Sequence, residues 1–188
     1  MGSGIPAVSA PASLHEAVEQ DIRDWINEFV TVPNEFYHFK FPPCPYARQA
    51  MVAKTVDVKA WQSGDVRAFI REKTIEMRDT PTLTTRVMTF PPSTQWQWGI
   101  SDYVEGLNAE LIQDNVFLNT GVAKTTKSRY PGSSGTQPYF IVVANSLGAV
   151  LSGSESLKKT DYYKDWPRAH RELVVERRAR MAKKYGRK

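Results

Sequence analysis

The stretch FPPCPYAR, residues 41–48, decides the expected fold because it separates a predicted strand from a predicted helix. Proline fixes its own φ and disfavours the α conformation in the residue before it, so Pro43 and Pro45 hold Cys44 extended or at a helix N-cap. The free N–H groups at the start of that helix, together with Arg48 one turn into it, would favour a thiolate. The stretch therefore predicts a nucleophilic thiol at Cys44, and the alternative is a small buried hydrophobe in a structural turn.

Length and composition predict one soluble domain, since the chain has 188 residues, 41% hydrophobic and 11% aromatic. We expect residues 1–11 to form a loose leader and residues 12–188 to form the domain. No apolar run approaches the roughly 20 residues that span a bilayer, and the start of the chain lacks a signal-peptide pattern. A single cysteine and three scattered histidines predict neither an internal disulfide nor a metal site. These features predict a cytoplasmic protein that does not bind membranes, and they leave its oligomeric state open.

Periodicity predicts the order of the elements. A capping box at Ser13–Glu16 opens a helix to about Val30, and alternation predicts a strand over residues 35–41. Further predicted strands cover residues 55–59, 82–90 and 138–144, and further predicted helices follow Pro45, Ser63, Asp102, Ser152 and Pro167. Residues 119–137 are predicted to form a long loop.

This order predicts a single α/β or α+β domain with a mixed sheet of about four strands flanked by helices. Both thioredoxin-like and ferredoxin-like arrangements satisfy it.

Residues 44–47, Cys-Pro-Tyr-Ala, resemble the Cys-Pro-Tyr-Cys active site of glutaredoxins, which also follows a strand and opens a helix. The resemblance implies a thioredoxin-like fold in which Pro81 would be the shaping cis-proline beside Cys44, with Pro138 as a rival for that role. Ala47 replaces the second cysteine, so dithiol exchange within one site is excluded. Monothiol chemistry with glutathione, peroxide sensing or no redox role remains.

A second resemblance covers more of the chain. Trp25, the proline-cysteine element at 43–47, the threonine pair at 84–85 and Arg129-Tyr130-Pro131 are similar to small uncharacterised bacterial proteins with a Leu-Cys-Pro-Phe-Ala signature. Residues 162–167, YYKDWP, resemble uncharacterised accessory proteins of tailed phages that infect marine cyanobacteria. This resemblance implies that the cysteine element belongs with the rest of the chain in one domain, located in the host cytoplasm if phage-encoded.

The positive charge is concentrated at the C-terminus, where residues 158–188 carry a net charge of +8. Trp166, His170, Leu173 and Val174 are expected to dock on the body while Arg178 projects outward. The candidate binding residues for nucleic acid or an acidic protein are Arg177, Arg178 and Arg180 of this helix and Lys124, Lys127 and Arg129 of the long loop. The alternative is a solvated helix with a frayed tail.

Trp96 and Trp98 stand at alternate positions after Pro91-Pro92, in a predicted loop or strand end, where they could stack on a ligand or cover the sheet edge. The sequence thus supports two hypotheses. The first is a monothiol redox or thiol-dependent enzyme with Cys44 as nucleophile, Arg48 as its stabiliser and Pro81 as shaping residue. The second is a non-enzymatic, phage-type accessory protein that binds nucleic acid or an acidic partner through its basic C-terminus.

Overall fold

The computed structural model describes residues 13–91, 94–123 and 139–186, and the chain forms a mixed sheet with helices on both faces. The strands are β1 (Val56–Ala60), β2 (Thr85–Phe90), β3 (Val116–Ala123) and β4 (Tyr139–Ser146). The helices are α1 (Leu14–Trp25), α2 (Ala47–Val52), α3 (Val66–Arg78), α4 (Thr94–Leu111), α5 (Leu147–Lys158), α6 (Arg168–Arg171) and α7 (Arg177–Tyr185). Short 3₁₀ turns cover Glu35–Tyr37, Ile112–Asp114 and Asp161–Tyr163, and π-helical turns cover Ile26–Val30 and Glu172–Glu176.

The strand order is β1-β2-β4-β3. The first pair is parallel, with Val56 opposite Thr85, while β4 runs antiparallel to both β2 and β3. The expected α/β or α+β class with a four-stranded mixed sheet flanked by helices is therefore confirmed.

Side chains of the strands alternate between two cores, as the period of two requires. Tyr139 and Ile141 of β4 pack with Val18 and Ile22 of α1 on one face. Phe140 and Val142 join the core on the other face, which α3 and α4 cover. The helix α1 has the expected capping box, in which the Ser13 hydroxyl accepts from the Glu16 N–H and the Glu16 carboxylate accepts from the Ser13 N–H.

One predicted strand is wrong and one was missed. Residues 35–41 form a 3₁₀ turn followed by left-handed residues, His38 with φ 52° and Phe39 with φ 57°, and this backbone cannot continue a strand. The fourth strand is instead Val116–Ala123, whose residues 119–123 were predicted to belong to the long loop. Residues 124–137 of that predicted loop lie outside the described residues, as do Pro138 and the predicted leader.

Other boundaries also shift. The helix α4 begins at Thr94, ahead of the predicted Asp102, and α5 begins at Leu147, ahead of the predicted Ser152. The N-cap of α3 is Asp65, whose side chain accepts from the Ala68 N–H, rather than Ser63. Among the described residues, no helix combines the length and the apolar character that crossing a membrane requires.

Candidate thiol site

Cys44 lies in the turn that links the π-helical end of the first helix to α2. Its N–H donates to the carbonyl of Val30 at 3.0 Å, and its carbonyl accepts from the N–H of Ala47 at 3.1 Å. The helix begins at Ala47 with Tyr46 as its N-cap, so Cys44 stands two residues before the cap rather than at the expected cap position. The helix has only six residues, so its dipole contributes little to any thiolate.

A cluster of aromatic side chains holds this turn against the end of α5. Tyr162 stacks on Tyr37 at 4.9 Å between ring centroids and meets Phe41 edge-on at 5.5 Å. The Tyr162 hydroxyl donates to the carbonyl of Pro43, directly before the cysteine. Tyr163 and Trp166 complete the cluster, which we call the aromatic cluster.

The aromatic cluster borders a half-open cleft of about 170 Å³ between residues 37–41 and 161–166. The rim of the cleft carries a polar contact between His38 Nε2 and Asp165 Oδ2 at 2.9 Å. This contact and the stacked tyrosines join the two segments on either side of the cleft, so the chain around Cys44 is fixed by residues more than 100 positions away.

Arg178 of α7 is the cation whose charge lowers the pKa of the Cys44 thiol. The residue is 8% exposed, and its guanidinium donates to the hydroxyl of Ser154 on α5. Ser154 in turn donates to the Val150 carbonyl at 2.8 Å, which orients its oxygen toward the arginine. The described groups that act electrostatically on Arg178 are Tyr163, Cys44 and Tyr162, none of which is a carboxylate.

The environment of Cys44 raises the pKa of its thiol, against the expected lowering. Cys44 is exposed as a residue, but protein atoms crowd the sulfur closely enough that desolvation dominates its pKa. The N–H groups of Tyr46 and Ala47 and the charge of Arg178 lower the pKa, but they do not overcome the burial. The same crowding raises the pKa of Tyr162 well above its usual range, with the neighbouring Tyr37 and Cys44 adding to the effect. At neutral pH the site therefore holds a neutral thiol close to a buried cation.

The other residues predicted at this site occupy different surroundings. Arg48 is exposed on α2, and no effect of its charge on Cys44 is resolved. Pro81 lies exposed in the turn before β2, and all described peptide bonds are trans, so it lacks the cis geometry that the glutaredoxin resemblance implies. No strand precedes Cys44 among residues 31–43 either, which removes the strand-turn-helix context of that resemblance.

Of the predicted C-terminal binding residues, Arg177 and Arg180 line one open cleft together with Lys184, and Arg178 is not part of its lining. Arg177 pairs with Glu105 at 2.7 Å and lies over the ring of Phe117. Arg178 is buried, which corrects the expectation that it projects outward. Arg180 is exposed and pairs with Glu172.

The π-helical turn at Glu172–Glu176 explains this correction. A π turn places about one extra residue in a turn of helix, which rotates everything after it relative to an ordinary helix. Val175 rather than Leu173 reaches the core, and Arg178 and Met181 follow on the same face. Leu173, expected to dock, is 57% exposed.

The remaining candidates fall elsewhere. Trp96 and Trp98 belong to α4 rather than to a loop or strand end. Lys124, Lys127 and Arg129 lie outside the described residues. Within the described ranges, no three acidic, histidine or cysteine side chains are grouped to hold a metal ion.

Sequence reasoning missed Tyr162, Tyr163 and Ser154 as site residues. The density of aromatic residues in DYYKDW, residues 161–166, is the signal that could have indicated a cluster there. Nothing local indicates Ser154, because its role depends on α7 crossing α5. Comparison with protein-family models, curated proteins and solved structures gives no significant match for this chain.

Proposed function

We propose that this protein is a monothiol redox or thiol-dependent enzyme in which Cys44 is the nucleophile. The observation that carries the proposal is the buried Arg178 guanidinium, which acts on Cys44 and has no carboxylate partner among the described residues. Arg178 thus takes the role that sequence reasoning assigned to Arg48. A cation in this position stabilises the thiolate selectively, since it gains more from the charged sulfur than from the neutral thiol.

The reaction that fits a single cysteine is exchange with a low-molecular-weight disulfide, for which glutathione disulfide is the natural candidate. The Cys44 thiolate attacks one sulfur of the disulfide, a new S–S bond forms to Cys44, and the old S–S bond breaks. The second sulfur leaves as a thiolate and takes up the proton that Cys44 released. Because the chain has no other cysteine, a second external thiol must release the mixed disulfide.

The pH dependence of alkylation by iodoacetamide tests this proposal. The titratable groups that interact electrostatically with Cys44 are Tyr37, Tyr162 and Arg178. We expect the folded protein to react with an apparent pKa above the free-thiol value of about 8.5, and Arg178→Gln to raise that pKa further because the nearby positive charge is lost. Arg48→Gln is the matched control and should leave the profile unchanged. A folded protein that does not react, or identical profiles for the wild type and Arg178→Gln, would contradict the proposal and leave Cys44 as a packing residue.

The second candidate function is binding of nucleic acid or an acidic protein through the C-terminal helices. It is supported by Arg168, Arg171, Lys183 and Lys184, which are exposed on α6 and α7. Arg177 and Arg178 no longer contribute to such a surface, because both are engaged within the fold.

Binding to a DNA fragment of about 20 base pairs at several salt concentrations tests this alternative. Lys183→Glu with Lys184→Glu should weaken binding and flatten its salt dependence, since each lost phosphate contact reduces the slope. Lys158→Glu with Lys159→Glu, two exposed lysines at the end of α5, changes the net charge by the same amount and is the control. Equal losses in the control would indicate non-specific attraction, and unchanged affinity would rule out the tail.

A further inference from the structure

Two of the arginines that the structure describes are buried, and their surroundings differ. Arg86 is 5% exposed and is neutralised by Asp57 at 2.8 Å and by Glu76 at 2.9 Å. Arg178 is 8% exposed and has only the neutral Ser154 hydroxyl as a hydrogen-bond partner among the described residues. Arg86 therefore belongs to a network of ion pairs, whereas Arg178 is a buried charge without a counter-ion among the described residues.

Such an arrangement is unfavourable unless an anion completes it. A guanidinium has five N–H donors and keeps its charge at any ordinary pH. The Arg178 Nε group is buried without a hydrogen-bond partner in the described chain. Leaving a charge and its donors unpaired inside a protein is costly, and the cost falls when an oxyanion accepts the free N–H groups.

The location of Arg178 identifies where that anion would lie. Arg178 donates to Ser154 on α5, and the carbonyl of the neighbouring Gly153 accepts from the hydroxyl of Tyr46, two positions after Cys44, so the guanidinium lies in the same region as the cysteine turn. Its charge also acts on Cys44, Tyr162 and Tyr163. Cys44 is exposed and provides an opening to solvent on that side. The Tyr162 hydroxyl already donates to the Pro43 carbonyl, whereas the Nε–H of Arg178 has no acceptor among the described residues and can donate to an incoming oxyanion.

We propose that Arg178 forms an oxyanion-binding subsite beside Cys44, so that the molecule that reacts with Cys44 carries a carboxylate or phosphate group close to its reacting atom. Planar guanidinium groups suit both oxyanions because two parallel N–H groups match two oxygens. The inference rests on the proposed function for its reaction partner, but the subsite itself requires only Arg178.

A pair of alkylating reagents of nearly equal size tests the subsite. Iodoacetate carries a carboxylate next to its reacting carbon, and iodoacetamide carries a neutral amide there. In both reactions the Cys44 sulfur forms a bond to the CH₂ carbon, and iodide leaves with the electron pair of the C–I bond. Both reagents consume the same thiolate, so the ratio of their rates is independent of the thiol pKa and reports on binding of the carboxylate.

We expect the iodoacetate-to-iodoacetamide rate ratio to be about tenfold higher in the wild type than in Arg178→Gln, as expected for a charge-assisted hydrogen bond. Arg178→Lys keeps the charge without the planar fork and should retain part of the preference. Arg48→Gln is the matched control and should leave the ratio unchanged. In the wild type, inorganic phosphate should slow iodoacetate more than potassium chloride does at equal ionic strength, a comparison that requires no folded variant.

The outcomes separate the subsite from the proposed function. If Arg178→Gln slows both reagents equally, the arginine serves the thiolate alone and the subsite is refuted. If neither reagent reacts with the folded protein, the proposed function fails, and the subsite is then measured in Cys44→Ala from the rise in melting temperature with inorganic phosphate. That rise should exceed the rise with chloride and disappear in Cys44→Ala with Arg178→Gln; the absence of any difference would overturn the subsite. Equal rises in melting temperature with phosphate and sulfate would indicate a general oxyanion site. A larger rise with acetate would indicate a preference for carboxylates.

Discussion

The ring of Tyr46 lies against the backbone of Gly153, and its hydroxyl donates to the Gly153 carbonyl at 3.2 Å. A Cβ at position 153 would lie 2.9 Å from Cε2 of Tyr46, closer than carbon atoms normally approach. Any larger residue at position 153 of α5 would therefore displace the ring of Tyr46, the residue that caps α2, two positions after Cys44. This contact joins the cysteine turn to the helix that carries Ser154.

Substitution of Gly153 by alanine should destabilise the protein. Glycine to alanine inside an exposed helix normally stabilises by up to about 1 kcal/mol, and Gly106→Ala in α4 should do so because no atom lies within 4 Å of its Cβ position. Gly153→Ala should lose this gain and displace Tyr46, so that the free energies of unfolding of the two variants differ by at least about 1 kcal/mol. Urea unfolding measures both variants. If Gly153→Ala is as stable as Gly106→Ala, the close contact does not exist.

The ion network of Arg86 should be important for stability. Arg86 is buried between Asp57 and Glu76, and it also donates to the Lys73 carbonyl at 2.8 Å. Arg86→Met removes the central cation, while Asp57 keeps only its longer contacts with Arg23 and Lys59, so the variant should cost about 2 kcal/mol of unfolding free energy. Glu76 keeps its contact with Lys73. Lys158→Met breaks the exposed pair with Glu155 and should cost less than about 1 kcal/mol in the same urea experiment. Similar losses in the two variants would show that Arg86 is not the centre of a buried network.

Asn108 should be required for the edge of the sheet. Its amide group donates to the carbonyl of Leu118 at 3.0 Å and accepts from the N–H of the same residue at 2.7 Å, and the side chain is fully buried. Leucine has a similar volume, but Asn108→Leu leaves the N–H and the carbonyl of Leu118 without their side-chain partner. We therefore expect the free energy of unfolding to fall by about 2–4 kcal/mol in thermal or urea unfolding. The exposed Gln113→Ala serves as a control and should change stability by no more than about 0.5 kcal/mol. A small effect at Asn108 would indicate that water or another group satisfies Leu118.

Stability should decline in alkaline solution because of the buried tyrosines. Burial raises the pKa of Tyr37 and Tyr162 above the unfolded value of about 10. Above that pH the unfolded chain loses the phenolic proton while the folded chain retains it, so unfolding is favoured increasingly as pH rises. Each such tyrosine contributes a slope of up to about 1.4 kcal/mol per pH unit, and below pH 10 neither contributes a slope.

Tyr162→Phe isolates one part of this effect. The variant should lose a constant amount of stability at neutral pH, because the hydrogen bond to the Pro43 carbonyl disappears. Between pH 10 and 12 its stability should fall less steeply than that of the wild type. Parallel curves in urea titrations across this range would show that Tyr162 ionises as easily in the folded protein as in the unfolded chain.

Much of the fold could be predicted from local patterns. The capping box at Ser13 and Glu16 and the apolar stripe through Val18 and Ile22 fixed the first helix, and strands β1, β2 and β4 lie close to their predicted positions. The expected number of four strands was right, but one member was wrong. The alternation of residues 35–41 indicated a strand, whereas β3 contains Gly121, a residue that is rare in strands. Pairing with β4 over eight residues overrides that local preference.

The candidate site was predicted only in part. Cys44 was identified from its position between two prolines, and those prolines and the residues that follow also indicated the short helix. The partner of the thiol was not identified, because the predicted cation, Arg48, is near in sequence and Arg178 is 134 positions away. A regular helical period also predicted that Arg178 would lie on the solvent-facing side of the helix.

The sequence by itself determined the class of the fold, the main helices and the place of the only thiol, because these depend on capping, periodicity and proline geometry within a few residues. Tertiary structure alone decided that a buried guanidinium lies in the region of Cys44. A π-helical turn at Glu172–Glu176 rotates α7 and brings Arg178 to Ser154 of α5, away from water. Burial is a property of several elements meeting in space. Burial controls both the pKa of the thiol and the free-energy cost of the unpaired charge. Neither quantity can therefore be read from neighbouring residues along the chain.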